Sequence, residues 1–270
     1  VNVMGGAGSN TADHFTAANN VALGFESLKL ITTGSDNVAV GLGAGDAVKD
    51  ESSLVLIGAN AGGGSITSAA VGLVAIGQQA GVSHTSAAGC TYVGQTAGKE
   101  VTTGDNSTGI GFEALGASAA NVLTGNNNTA VGYRAGYDLE GAATNNTLVG
   151  QSAGASMTTG SGSVFLGQKA GGTATTGDDN IAIGRDSLNG GATTGDNNIA
   201  VGPAAGQVLT TGDNNIFIGK QSGMSGSPGG AITTGSNEVC IGDENITEAH
   251  IQVDWTIASD ARDKTDVEDL

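Results

Sequence analysis

One pattern limits this chain's folding choices more than any other. A glycine preceded by Val, Leu or Ile, with Val, Ile or Thr two residues earlier still, recurs thirteen times. These marker glycines are Gly24, Gly41, Gly58, Gly77, Gly94, Gly111, Gly132, Gly150, Gly167, Gly184, Gly202, Gly219 and Gly242. Their spacings run 17, 17, 19, 17, 17, 21, 18, 17, 17, 18, 17 and 23, a period of 17 to 18 with occasional insertions. Some copies are nearly identical, as in "TTGDDNIAIG" (175–184), "TTGDNNIAVG" (193–202) and "TTGDNNIFIG" (210–219). Self-similarity at such a period signals a stack of like units, each too thin to bury an apolar face alone.

Positions are counted from the marker glycine. Positions −3 and −1 are always β-branched or aliphatic, so this stretch alternates at period two and predicts a short, half-buried strand. Position +3 is Ala or Ser in twelve copies, Asn245 being the exception, and position +4 is Gly in nine. Small residues there imply a tight turn and close backbone approach. The rest of each repeat, often T-T-G-D-N-N, is turn sequence with room for a weaker second strand. Insertions such as "GASAANVLTGNNN" and "GMSGSPGGAITTG" fall in this half. Asn occupies position −4 in seven copies (Asn20, Asn37, Asn128, Asn146, Asn180, Asn198 and Asn215), where a hydrogen-bonded ladder up the stack is expected.

The expected fold is therefore all-β: a parallel β-solenoid or β-roll of 13 to 14 rungs. Rungs about 4.8 Å apart give a rod roughly 60 Å long. Residues 1–20 read as a partial first rung around Gly5, 19 before Gly24, with a lead-in segment. Residues 21–242 form the shaft, 243–258 a closing β segment, and 259–270 a distinct terminal segment. The chain opens mid-pattern on Val1, as expected for part of something longer. A rung with Ala and Gly where a core should be needs partner chains over one face, and a homotrimer is expected.

Composition agrees with a thin fibrous body. Among 270 residues are 48 Gly, 2 Pro and only nine Phe, Tyr and Trp together, too few to fill a spherical core. Glycine without a three-residue period excludes collagen. The net charge of −17 disfavours nucleic acid as a partner, because phosphate binding needs clustered Lys and Arg. No apolar run approaches the roughly 20 residues of a membrane span, so no helical membrane insertion is expected. Cys90 and Cys240 read as strand positions of widely separated repeats and as small buried fillers, neither disulfide partners nor metal ligands.

Two stretches carry resemblances. The rung "NNIAVGPAAG" resembles the head repeats of trimeric autotransporter adhesins, and the likeness covers most of residues 21–242. It implies a left-handed parallel β-roll assembled as a trimer. After Gly242 the repeat stops, and "AHIQVDWTI" leads into "ASDARDKTDVEDL". There Ser259, Asp260, Arg262 and Lys264 match Ser-Asp-x-Arg-x-Lys, with Val267 at the following aliphatic position. This resembles the start of the endosialidase-type intramolecular chaperone found at the C-terminus of bacteriophage tailspikes and tail fibres. The resemblance implies a domain that drives trimerisation and then cuts itself off between Ser and Asp. Ser259 would be the nucleophile or the acyl side of the scissile bond. Asp260 would become the new N-terminus, Arg262 completes the motif, and Lys264 would take the serine proton, as a lysine can when burial lowers its pKa. The function implied is a virion tail fibre that attaches to a host through a cell-surface glycan or protein receptor, with no cofactor or metal. A bacterial surface adhesin head is the alternative. A solenoid-mounted glycan-active enzyme is the third, though no paired carboxylates with an aromatic platform stand out.

Other residues admit plainer readings. Asp36, Asp105, Asp178, Asp196 and Asp213 recur in turns, where Asp forms turns more often than it binds Ca²⁺. The paired threonines suggest the arrays of ice-binding solenoids, but bonding of each Thr to its own local backbone is preferred. Phe25, Phe112, Tyr133, Arg134 and Tyr137 could touch a glycan, yet nothing in the sequence clusters them. His14, His84 and His250 are too far apart to suggest a site, and the sequons at Asn106, Asn127, Asn145 and Asn245 receive no role.

Overall fold

A computed structural model of the chain describes residues 3–5, 17–64, 66, 71–116 and 122–248. Within them the fold is all-β, and no helix occurs among the described residues. Fourteen three-residue strands follow in order: β1 (Val3–Gly5), β2 (Val21–Leu23), β3 (Val38–Val40), β4 (Val55–Ile57), β5 (Val74–Ile76), β6 (Thr91–Val93), β7 (Thr108–Ile110), β8 (Thr129–Val131), β9 (Thr147–Val149), β10 (Val164–Leu166), β11 (Ile181–Ile183), β12 (Ile199–Val201), β13 (Ile216–Ile218) and β14 (Val239–Ile241). They form one parallel sheet in strict sequence order, the topology of a β-solenoid. Every partnered pair is aligned at the same repeat position, so the expected register holds from β2 onward.

The first rung exists, but one residue out of the expected register. Gly5 pairs with Leu23 and not with Gly24, so it occupies position −1 and the rung is 18 residues long, not 19. The weaker second strand is reduced to isolated bridges, Val101 to Leu123, Leu123 to Gly141 and Ala174 to Thr193.

Marker glycine is required for two reasons. Its φ lies near +135° in most rungs, which L side chains rarely adopt, and a Cβ on Gly132 would stand 2.5 Å from the carbonyl oxygen of Gly150 one rung on. Every rung therefore passes its neighbour with glycine on glycine. Three other positions, −5, +2 and +4, bend into the left-handed region; +4 is mostly Gly, while −5 and +2 are held by Asn, Asp or whatever residue stands there, Glu113 and Arg134 included.

Alternation along the strand hides the residue between the two aliphatic positions. In every strand from β2 on, the central residue at −2 is buried and its neighbours face outward. The inner column runs Ala22, Ala39, Leu56, Ala75, Tyr92, Gly109, Ala130, Leu148, Phe165, Ala182, Ala200, Phe217 and Cys240. A second buried column lies seven residues after most markers, with Ile31, Val48, Val101, Leu139, Met157 and Leu209. Between these two columns and the small residues at +3 lies much of the core, joined by Leu54 and Leu73 at position −4.

Core volume is conserved between position −2 and position +4. Where −2 is large, the adjoining +4 residues are Gly: a Cβ on Gly98 would meet the Tyr92 ring at 2.3 Å, and one on Gly171 the Phe165 ring at 2.3 Å. Where −2 is Ala or Gly in two successive rungs, +4 becomes Leu, as at Leu28, Leu115 and Leu188. These leucines accept φ of 46°, 51° and 47°, a strained conformation that their burial offsets.

The asparagine ladder forms as expected and is buried. Asn198 Nδ2 donates to Asn180 Oδ1 at 3.1 Å and to the Gly212 carbonyl at 2.9 Å, while Asn198 Oδ1 accepts the Asn215 N–H at 3.0 Å. Each Asn thus ties its own rung to both neighbours. Cys90 is not in a strand but in this ladder position, where its thiol faces the Gly104 carbonyl at 3.2 Å, and both cysteines are free and buried.

Two predictions follow from this packing. Gly132→Ala combines a forbidden φ with a backbone clash and should cost at least ~2 kcal/mol, read as a lower midpoint of chemical unfolding. Ala200→Leu alone should overpack and cost about 1–3 kcal/mol, and Leu188→Gly alone should leave a cavity. The double variant recreates the Gly–Leu–Gly environment of Leu148, so a double-mutant cycle should return a favourable coupling of at least ~1 kcal/mol.

Candidate functional site

Side chains at +1 and +2 leave the rung just after the marker glycine, and like positions stack along the axis. Phe112 and Tyr133 hold +1 in successive rungs, and their rings stack with centroids 5.6 Å apart and planes 8° from parallel. Glu113 and Arg134 hold +2 in the same rungs, and Arg134 Nε donates to Glu113 Oε2. The guanidinium also lies 5.4 Å from the centroid of Tyr133 and 4.9 Å from that of Tyr137. The bond to Glu113 raises the Arg134 pKa further, so the group is always charged. Beside it Asp138 is partly buried, which raises its carboxyl pKa against the opposing pull of Arg134.

Phe112, Tyr133, Arg134 and Tyr137 are therefore a cluster, contrary to the sequence expectation. Phe25 is not among their ring contacts. The 21-residue gap between Gly111 and Gly132 hid the shared +1 position, although counting from each glycine would have revealed it. Chemically the cluster is a rigid shelf. Phe112 and Tyr133 each spend one ring face on the other, and the guanidinium is engaged by a carboxylate and two rings.

The turn residues act between rungs rather than within them. Asp105, Asp178, Asp196 and Asp213 accept backbone N–H groups of Ala88, Ser161, Asp178 and Asp196 at 2.7 to 2.9 Å, each from the preceding rung. Asp36 accepts from Asn19 Nδ2 at 3.0 Å. Likewise most first threonines of the pairs bond the next rung and not their own backbone: Thr32 Oγ1 donates to the Lys49 carbonyl at 3.1 Å, and Thr210 Oγ1 to that of Thr233 at 2.9 Å, while Thr193 Oγ1 reaches both the Leu209 carbonyl and its own Gly191 carbonyl. Asn106, Asn127 and Asn145 occupy the left-handed position −5.

Ser259, Asp260, Arg262 and Lys264 lie outside the described residues, as do His14 and His250. His84 is buried in the column seven residues after the marker, where other rungs carry aliphatic side chains. Its Nε2 stands 2.8 Å from the Ala87 carbonyl, which only accepts, so Nε2 carries the proton. Nδ1 has no hydrogen-bond partner, and the Tyr92 ring meets the imidazole edge-on at 6.0 Å.

Burial lowers the His84 pKa from 6.5, although the Ala87 carbonyl and Asp105 oppose the shift. Well above pH 6.5 the imidazole is neutral in the folded and the unfolded chain alike. As pH falls from 6.5 toward the lowered folded value, the unfolded chain takes up the proton first and stability declines. Chemical unfolding at pH 7.5 and pH 5 should show a loss in the wild type that is smaller in His84→Leu. Compared with models of known protein families and with curated proteins, the chain finds no match.

Proposed function

We propose that this chain is the shaft of a trimeric bacteriophage tail fibre, a structural and host-attachment protein of the virion that matures by self-cleavage between Ser259 and Asp260. The observation that carries this reading is the unbroken fourteen-stranded sheet, in which each rung pairs only with the rungs before and after it. Such a body gains reach by adding rungs and holds its ends apart, which is what an attachment fibre needs between virion and receptor. The motif carrying the cut starts 18 residues after the end of β14, the last strand among the described residues. On this reading the chain turns over no external substrate. The receptor, a glycan or protein of the host surface, is engaged with the shaft acting as spacer.

The test is the intact mass of the chain expressed with its native downstream sequence. The expected wild-type product ends at Ser259. Ser259→Ala should remain uncut, and Lys264→Ala should be slowed by about 100-fold or more, the usual worth of a positioned base. If all three keep their C-termini while still assembling, the adhesin-head reading replaces the fibre.

A further inference from the structure

The strand face turned away from the core has nothing over it in a single chain. Positions −3 and −1 supply two columns from Val21 and Leu23 to Val239 and Ile241, every member Val, Ile, Leu or Thr and none charged. Nine of them, among them Ile183, Val201 and Ile218, are 37 to 62% exposed. Phe25, Leu42, Phe112 and Tyr133 at +1 extend the patch along one border. With these, exposed apolar side chains amount to on the order of 1,000 Å² per chain, beyond the patch size usual for a monomer and above the ~800 Å² each partner gives to a standard interface. Parallel sheets, moreover, are almost always covered on both faces.

We infer that this face is the surface on which copies of the same chain pack against one another, strand face to strand face. The inference deepens the trimeric reading above and rests on it. Period selects the occupant: a partner must offer apolar side chains at the rung spacing along roughly 60 Å, while a globular domain about 30 Å across covers half of that. A second copy has the required repeat by construction. Charge agrees, because chains of net charge −17 repel unless their carboxylates are kept off the contact, and both columns exclude them throughout. Thr at −3 in four successive rungs, Thr91, Thr108, Thr129 and Thr147, keeps the β-branched shape in the middle of the face.

The test replaces Ile183 and Val201 together by Lys and compares sedimentation with a control pair, Thr194→Lys with Thr211→Lys, on exposed turn positions. Wild type and control should sediment as three chains, about 78 kDa from three times 26.1 kDa. The outward pair should sediment as one chain, with an apparent dissociation constant raised at least 100-fold and an unchanged far-ultraviolet β signal. Because the Lys pair could unfold, a second readout places pyrene on Val201→Cys, the native cysteines being buried. Excimer emission there, absent from Thr194→Cys, supports packing through this face. A single-chain wild type overturns the inference, whether it binds phosphatidylcholine vesicles or nothing. So does a Lys pair that stays associated, or an assembly without Val201 excimer. Association through this face without cleavage at Ser259 leaves the inference standing and removes the fibre reading. Cleavage by a chain that does not associate here does the reverse.

Discussion

Everything in this molecule depends on one close contact repeated from Gly24 to Gly202: the marker glycine of each of these rungs lies against the carbonyl of the next. Parallel strands stack at a fixed spacing of about 4.8 Å, and any Cβ at that point would force two rungs apart. Once the spacing is fixed there, the rest of the rung must repeat as well. Asn at −4, most of the turn aspartates and the first Thr of most pairs bond upward or downward to a neighbouring backbone, because identical backbones place a donor opposite an acceptor at each step. The polar groups of the turns are thereby satisfied without a compact globule to bury them.

Side-chain volume is the one thing that does not repeat rung by rung, and here the structure solves a packing problem on a two-position scale. Tyr92, Phe165 and Phe217 are each flanked by Gly at +4, while Leu28, Leu115 and Leu188 fill +4 where the strand centre is small. The core is thus nearly constant in volume although no single column is. His84, set among aliphatic neighbours in another column, is the visible departure from that economy.

Much of this was legible in the sequence because period is a property of spacing alone. The marker glycines give the strands, their register and the ladder of Asn without any knowledge of contacts. The inward direction was not legible: Val, Ile and Leu at −3 and −1 look like the core, yet the variable residue between them is the one buried. Strand alternation says that two faces differ, not which one lies inside, and a curved rung resolves that by where its turns go. The shift at Gly5 and the aromatic cluster escaped for a related reason, since a rung of altered length hides which residues share a level. The position of Cys90 in the Asn ladder was equally hidden, for a thiol carries no amide signature.

Pairing confined to adjacent rungs also bears on how such a molecule changes over time. Removing one whole rung brings together two surfaces much like those it separated, and inserting one creates two interfaces of a kind already present. Residues 175–219 hold three nearly interchangeable copies of this sort. Length is then a quantity the chain can vary in steps of about 4.8 Å, with each step judged locally by whether the bulky and small positions of the new neighbours still complement each other. A lineage of such rods could track the distance it must bridge without inventing a new fold at any stage.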